Sequence, residues 1–531
     1  MINHRSSCAS ASAFQLAVGA RPRVFAAAHF PAVNRAGRLA QWFVCLLVFG
    51  GLIATGKSAV MVGRYDLGAV RDPATLETRV IEDWKPLAKD PSIRQKLVEI
   101  TICEWWPGQK VRLPVTFNAP ASGGPCKNVI IDNASLSVKA ATPSGAQLRL
   151  LKENGVGIVL IGIGTIDAME PVAKLDVGMK EHLLRTKDLR YTPAWIWGMS
   201  DLRALTAALA ERDAFQPQKV LATGGSKRGV AAAAAGIADD RFTAILPVVA
   251  PIIDSPGGPY VEGTRAAEIV RANEQFLADL RRGQSTNAPA GAPDALVFRE
   301  QARADERITL AEARAAGWSE AEIKAASSLA WEVCRTTNFL PALRKRGLEI
   351  FYNQGANDNV SPGLLELGRR FPHFPIYVVP GGQHGGSKET GFLKQVGSLP
   401  EVQENLFAFA QHHFFNARPL VATPRIKPHW HKATQRLRVT VTFPDRSQPQ
   451  QNELWWSVDR HPDYTFAMEY DRWQSVPLRQ TGPATWVGEA KLAGKPKTLD
   501  VVTTHQHTAG GSTLTFSSPL VQLTVRGGTV R

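Results

Sequence analysis

Between residues 128 and 379, short apolar runs alternate with stretches of helical periodicity, and this alternation narrows the choice of fold more than any other feature. The runs are Asn128–Asp132 (NVIID), Val156–Gly162 (VGIVLIG), Lys219–Thr223 (KVLAT), Phe242–Ile253, Leu348–Gln354 and Ile376–Val379. Runs this short with no polar alternation predict strands buried on both faces. Between them, Pro143–Asn154 and the Ala-rich Arg228–Asp239 read as helices. Ser200–Asp213 does too, with Leu202, Leu205, Ala208 and Leu209 on one face and Ser200 or Asp201 as its cap. Upstream, KLVEITICEWW and KVRLPVTFNAP are extended runs joined by Pro107-Gly108, a hairpin signal. An antiparallel start followed by strand–helix alternation predicts a mostly parallel α/β sheet with helices on both faces, whose ligands sit at the carboxyl ends of the strands.

Three chemically capable residues fall at such strand ends. Thr223-Gly224-Gly225-Ser226-Lys227-Arg228-Gly229 leaves a strand and opens a helix, and a tight turn of that kind projects a serine hydroxyl from the top of the sheet. The backbone N–H of Lys227, at the helix amino terminus, is placed to hold an oxyanion. The pattern G-x-S-x-G is missed by one position, because the second glycine is Gly229. Asp358, in YNQGANDNVSP, follows the Leu348–Gln354 run, and His384, in VVPGGQHGGS, follows the last one. The chain order Ser, Asp, His is that of the α/β-hydrolases. Asp254, after the strand that follows the serine helix, is the rival acid. A second oxyanion donor is expected near Asn133 and Ala134, after the first parallel strand.

The stretch Val220–Ile253, VLATGGSKRGVAAAAAGIADDRFTAILPVVAPII, resembles the PhoPQ-activated pathogenicity-related family of bacterial proteins around a G-x-SKRG elbow. Val230 stands where that family usually has tryptophan, and GANDNVSP departs from its acid motif. The resemblance extends from about residue 90 to about residue 415. It implies an α/β-hydrolase fold, a nucleophile at Ser226 and an envelope or secreted location. The elbow is also similar to that of glucuronoyl esterases, and this second resemblance implies that the side chain of Lys227 helps hold the oxyanion. The resulting expectation is a serine esterase or acyl hydrolase acting on a small-molecule, glycan or acyl substrate without a cofactor. A binding protein on a dead hydrolase scaffold and a serine peptidase are the alternatives.

The rest of the chain sets the context. Residues 1–56 carry five arginines and no acid, followed within that stretch by the apolar Trp42–Ala54, too short to span a bilayer with ease. This predicts a secretory signal, with an uncleaved membrane anchor as runner-up and a transit peptide third. Export would place the protein in the periplasm or outside the cell. Gly51 to Ser58 fits the phosphate-binding-loop pattern, but Gly63, Gly68 and Pro73 follow where a helix is needed, so a nucleotide site is not expected. The net charge is +15, and removing the five amino-terminal arginines leaves +10, scattered without a basic stripe; nucleic acid is not an expected partner.

Five cysteines with no CxxC pair argue against zinc and thioredoxin-like chemistry. A bridge between Cys103 and Cys126 in an oxidising compartment and two ordinary buried thiols are both open. His429/His431 and His505/His507 lack acidic or thiolate company, so they read as surface histidines and no metal site is expected. The catalytic domain is placed at 57–420, with 256–345 as a lid-like helical insertion. Residues 421–531, with alternating runs such as LRVTVTF, read as a β-sandwich.

Overall fold

The computed structural model describes residues 65–133, 140–163, 181–253, 310–322, 332–358, 363–384, 395–460, 473–526 and 529–530. The amino-terminal segment read as a signal, the phosphate-loop pattern, Ala134 and Asp254 lie outside these residues.

A ten-stranded sheet forms the centre. Its strands are β1 (Arg79–Leu87), β2 (Asp90–Trp106), β3 (Gln109–Pro120), β4 (Cys126–Asn133), β5 (Gly157–Ile161), β6 (Phe215–Gly225), β7 (Ala244–Val248), β8 (Glu349–Ile350), β9 (Tyr352–Gly355) and β10 (Ile376–Val379). The order is β1-β2-β3-β5-β4-β6-β7-β9-β10, with β8 beside β7. The first three strands run antiparallel, and β3 meets β5 antiparallel. From β5 through β4 and β6 to β10 every pairing is parallel. The β5/β4 exchange followed by monotonic growth toward one edge is the topology of an α/β-hydrolase. Phe351 interrupts the run expected as one strand at 348–354, dividing it into β8 and β9.

The helices are α1 (Leu67–Arg71), α2 (Gly145–Asn154), α3 (Pro193–Ala210), α4 (Lys227–Ala238), α5 (Leu310–Ala315), α6 (Thr336–Arg346), α7 (Leu364–Arg370) and α8 (Pro400–Phe415). Side-chain alternation along the strands divides the core in two. Val129, Ile131, Val159 and Ala222 face α3 and α4, whereas Ile130, Ile158, Leu160 and Leu221 face α2 and α8. Alanine content lets α3 and α4 approach closely: a Cβ on Gly198 of α3 would lie 2.7 Å from the Cβ of Ala234 in α4. The helix expected to start at Ser200 starts seven residues earlier, at Thr192-Pro193, where proline occupies the first turn. Ser200 and Asp201 are therefore buried mid-helix rather than capping, and the Ser200 hydroxyl donates to the carbonyl of Ile196 at 2.9 Å.

The insertion expected over 256–345 includes core structure at its carboxyl end. Val333 and Cys334 are buried, and the hydroxyls of Thr337 and Thr336 bond to the Ile252 carbonyl (2.8 Å) and the Tyr352 hydroxyl (2.5 Å). Helix α6 is thus the crossover between β7 and β8 and belongs to the sheet. The cysteines 103, 126 and 334 are free. Burial pushes the Cys103 thiol up to about 12 and that of Cys126 up to about 11.

The carboxyl-terminal part holds two antiparallel sheets. One orders β11 (Arg425–His431), β12 (Arg436–Thr442), β16 (Thr485–Lys491) and β15 (Arg479–Gly482). The other orders β14 (Gln474–Pro477), β13 (Gln451–Val458), β17 (Thr498–Ala509), β19 (Val521–Arg526) and β20 (Thr529–Val530), with β18 (Ser512–Ser517) beside β17. Leu437, Val439 and Val441 of the first and Leu454, Val501 and Phe516 of the second share one apolar cluster. That cluster continues into Phe407, Phe409 and Val379, so this β-rich domain and the central sheet have a common core. His505 corrects its reading as a surface residue. It is buried against Phe443 and Phe516, bonded to Asn452 and Thr503, and burial pushes it down to about 3. His429 and His431 are exposed, as expected of them.

Candidate active site

Strand β6 ends and α4 begins within one residue, and that residue is Ser226. Its φ is +61° and its ψ −129°. A non-glycine residue held there carries a strain of about 1–3 kcal/mol and persists only where its surroundings fix it. They do so here: the Ser226 N–H donates to the Val248 carbonyl at 3.0 Å, its own carbonyl accepts from the Val230 N–H at 3.0 Å, and the Thr223 hydroxyl is tied to Leu246 at 2.7 Å.

The displaced glycine has a steric explanation. Gly224 has φ +150°, and a Cβ on it would lie 2.6 Å from the Cβ of Arg228. One glycine of the facing pair is therefore enough, and the other position can carry arginine. A Cβ on Gly229 would come within 2.9 Å of the Ala250 Cβ and the carbonyls of Gly224 and Val248, so this glycine lets α4 lie against β7.

The structure brings Ser226, His384 and Asp358 together. The Ser226 Oγ lies 2.6 Å from the Nε2 of His384, and the His384 Nδ1 lies 3.1 Å from the Oδ1 of Asp358. The Asp358 and His384 side chains are buried. Their turns leave adjacent strands and lock to each other. The Ala356 N–H donates to Val379 and that of Asn357 to Gly382, both at 2.9 Å, while the Asp358 N–H closes its own turn on Gly355 at 3.1 Å. Asp358 is thus the carboxylate that faces the Nδ1 of His384.

Of the two residues named as second oxyanion donors, Asn133 is engaged elsewhere. Its N–H donates to the Asp132 carboxylate at 2.6 Å, and its side-chain amide donates to Asp201 at 2.9 Å. What it offers the elbow is its carbonyl, which accepts from the Arg228 guanidinium at 3.4 Å. The expectation of an Asn133 donor is thus corrected, because its N–H is already engaged by the adjacent Asp132 carboxylate. The carboxylates themselves were not foreseen. Burial pushes Asp132 up to about 7, against the Asn133 N–H, Arg228 and the Gln147 amide. Burial, with the neighbouring charge of Asp132, pushes Asp201 well above the carboxylate range. Lys227 opens α4 as expected, directly after Ser226. Asp239, just past α4, pairs with Arg71 and Arg241.

Residues 192–257 match the family described as PhoPQ-activated pathogenicity-related protein, a span that holds α3, β6, the elbow, α4 and β7. No curated protein matches the chain. Among solved structures, an acetyl xylan esterase from Paenibacillus sp. R4 is similar at 14% identity, over 63% of this chain and 92% of that one, with a TM-score of 0.36. A glucuronoyl esterase from Solibacter usitatus is similar at 16% identity over 37% of this chain and 60% of its own, with a TM-score of 0.27. A puromycin-hydrolyzing peptidase from Mycobacterium tuberculosis is similar at 15% identity over 60% and 39%, with a TM-score of 0.30. Strand order and the position of the serine turn carry the conclusion independently of these likenesses: the chain has the α/β-hydrolase fold, and its elbow segment is similar to the PhoPQ-activated pathogenicity-related proteins.

Proposed function

We propose that this protein is a serine hydrolase acting on carboxylic esters, with Ser226 as nucleophile, His384 as base and Asp358 as orienting acid. The observation that carries the reading is the continuous chain from Ser226 Oγ through His384 to Asp358, with both contacts within 3.1 Å, at the ends of β6, β10 and β9. In this reading the Ser226 oxygen attacks the acyl carbon while His384 Nε2 takes its proton. The carbonyl oxygen becomes an oxyanion facing the Lys227 N–H at the start of α4. The tetrahedral adduct collapses as His384 returns the proton to the leaving oxygen, and water then repeats the sequence on the acyl-enzyme. Asp358 fixes the tautomer that leaves Nε2 free to accept. Ala134 is the remaining candidate for the second oxyanion donor. Substrates are small acyl or glycan esters, and an exported, envelope-facing location follows from the amino-terminal pattern.

A fluorophosphonate probe tests the reading. Wild-type protein is expected to be labelled at Ser226, and Ser226→Ala to lose both labelling and turnover of a panel of acetyl, methyl and glucuronate esters. A folded wild type that neither reacts with the probe nor turns over any ester or aminoacyl amide would favour a binding protein on this scaffold. Turnover of amides alone would make it a peptidase.

A further inference from the structure

We infer that the carboxyl-terminal β domain is part of the catalytic apparatus, because Arg460 and Trp473 hold the turn that presents Asp358 to His384. The inference rests on the triad reading above and extends it to residues more than a hundred positions away. Arg460, just after β13, is buried and donates from Nη1 to the Ala356 carbonyl at 2.8 Å. Trp473, just before β14, is also buried, and its indole N–H donates to the Asn357 Oδ1 at 2.8 Å. Ala356 and Asn357 are the two residues that immediately precede Asp358. Their N–H groups are already committed to the β10 turn, so each is gripped from both sides: by Val379 and Gly382 through its N–H, and by the β domain through its oxygen.

The grip is itself supported. The Arg460 Nε donates to Asp500 of β17, which is buried. The other oxygen of Asp500 accepts from the Gln522 amide of β19 at 2.7 Å. The Arg460 guanidinium also lies 5.8 Å from the centre of the Trp473 ring, so the two holding side chains steady one another. A guanidinium is suited to this post, because its planar fork serves an acid on one side and a carbonyl on the other without losing charge. Further along the same boundary, the Ser517 hydroxyl of β18 accepts from the Val378 N–H of β10 at 2.8 Å. The Asn405 amide of α8 joins Asn353 of β9 to the Thr515 carbonyl, both at 2.8 Å. The strands that launch the acid and the base are thus both fastened to the β domain, and the closest fastening is at the acid turn.

Arg460 and Trp473 touch neither the serine nor the histidine, so they are positioning residues. Trp473→Phe removes one N–H and keeps the ring. Arg460→Lys keeps the charge and loses the fork. Displacing a catalytic group by about 1 Å costs on the order of a hundredfold in rate. Each variant is therefore expected to lower kcat by about tenfold to about a hundredfold, with KM within about twofold of wild type.

Two comparators separate this from loss of stability. Arg418→Lys loosens the β domain where it meets the end of α8, at the carbonyls of Ser512 and His507. It is expected to lower the melting temperature and leave kcat unchanged. Glu489→Gln weakens only exposed contacts, those with Arg438 and Arg436, and is expected to change neither. A second readout needs no substrate: the far-downfield proton resonance of the His384 Nδ1–H in protein labelled with 15N-histidine. It is expected to shift or broaden in Trp473→Phe and to stay in place in Arg418→Lys. Wild-type kcat and an unmoved resonance in both Trp473→Phe and Arg460→Lys would overturn the inference, leaving the contacts as domain docking alone. If wild-type protein is not labelled at Ser226, the triad reading fails instead, and the resonance still reports whether the β domain governs the Asp358–His384 contact.

Discussion

Substituting alanine for Gly355 attacks the place where the acid and base turns are closest. A Cβ added there would lie 2.3 Å from the Gly382 carbonyl oxygen, 2.6 Å from its carbon and 3.0 Å from a methyl of Val396. Real Cβ atoms essentially never approach other heavy atoms closer than 3.0 Å, so the two turns must separate by at least about 0.7 Å. The obstacle is backbone on both sides, and no flexible side chain can swing away. Asp358 lies three residues beyond Gly355, and His384 lies two beyond Gly382. Their contact is already 3.1 Å, near the long end of the hydrogen-bond range, and the separation takes it out of that range. Overpacking of this kind costs about 1–3 kcal/mol of stability, which lowers the melting temperature of a chain this long by about 1–3 °C. A larger effect is expected on reactivity, between the roughly hundredfold cost of a 1 Å misplacement and the roughly ten-thousand-fold cost of a disengaged acid. The assay is the second-order rate of fluorophosphonate labelling at Ser226, followed beside a thermal melt. Gly397→Ala is the comparator, since nothing lies within 4 Å of its added Cβ. Labelling of Gly355→Ala at the wild-type rate, with an unshifted melt, would refute the claim that these turns are interlocked.

Further outcomes are expected from the same structure. Asp358→Asn should cut turnover by up to about ten-thousand-fold while Asp254→Asn spares most of it, as measured by kcat on whichever ester the panel identifies. The reverse ranking would move the acid to Asp254. Asp132, pushed up to about 7 by burial, holds its proton in the folded state long after the unfolded chain has lost it at about 4. Its stabilising contribution is thus fully present below about pH 4 and is lost as the pH rises toward 7. Asp132→Asn should flatten the melting-temperature profile across that window, and an unchanged slope would show that the wild-type slope arises elsewhere. Cys103 and Cys126, whose thiols burial pushes up to about 12 and about 11, should resist a thiol reagent in the native protein and react on unfolding. Fast native labelling would contradict the packing around β2, β3 and β4.

The sheet was legible because parallel strands buried on both faces leave unbroken apolar runs, and Ile376–Val379 has the same bounds in sequence and structure. Ser226, Asp358 and His384 were legible because each follows such a run, so that locating the strand locates the residue. Other features were hidden for identifiable reasons. The start of α3 at Thr192-Pro193 is masked in the sequence because Ser200 and Asp201 resemble a cap in isolation; tertiary burial, with Asp201 held by Asn133, overrides that local sense. The Asn133 donor failed because its N–H goes to the adjacent Asp132 carboxylate, and the apolar string NVIID gives no sign of that contact. The grip of Arg460 and Trp473 on the acid turn joins residues 104 and 116 positions apart, and a motif records only what lies within a few turns of itself.

The common core of the two domains bears on when the protein first becomes active. Acid and base lie at residues 358 and 384, yet the side chains fastening their strands come from residues 460 to 522. A nascent chain that has exposed the whole sheet still lacks β17, β18 and β19. Its edge strand β10 lacks the contact that β18 supplies. Closing contacts of such long sequence separation is slow, and it comes late in folding. Until those strands are made, the turns that bring Asp358 to His384 lack the contacts that fasten them.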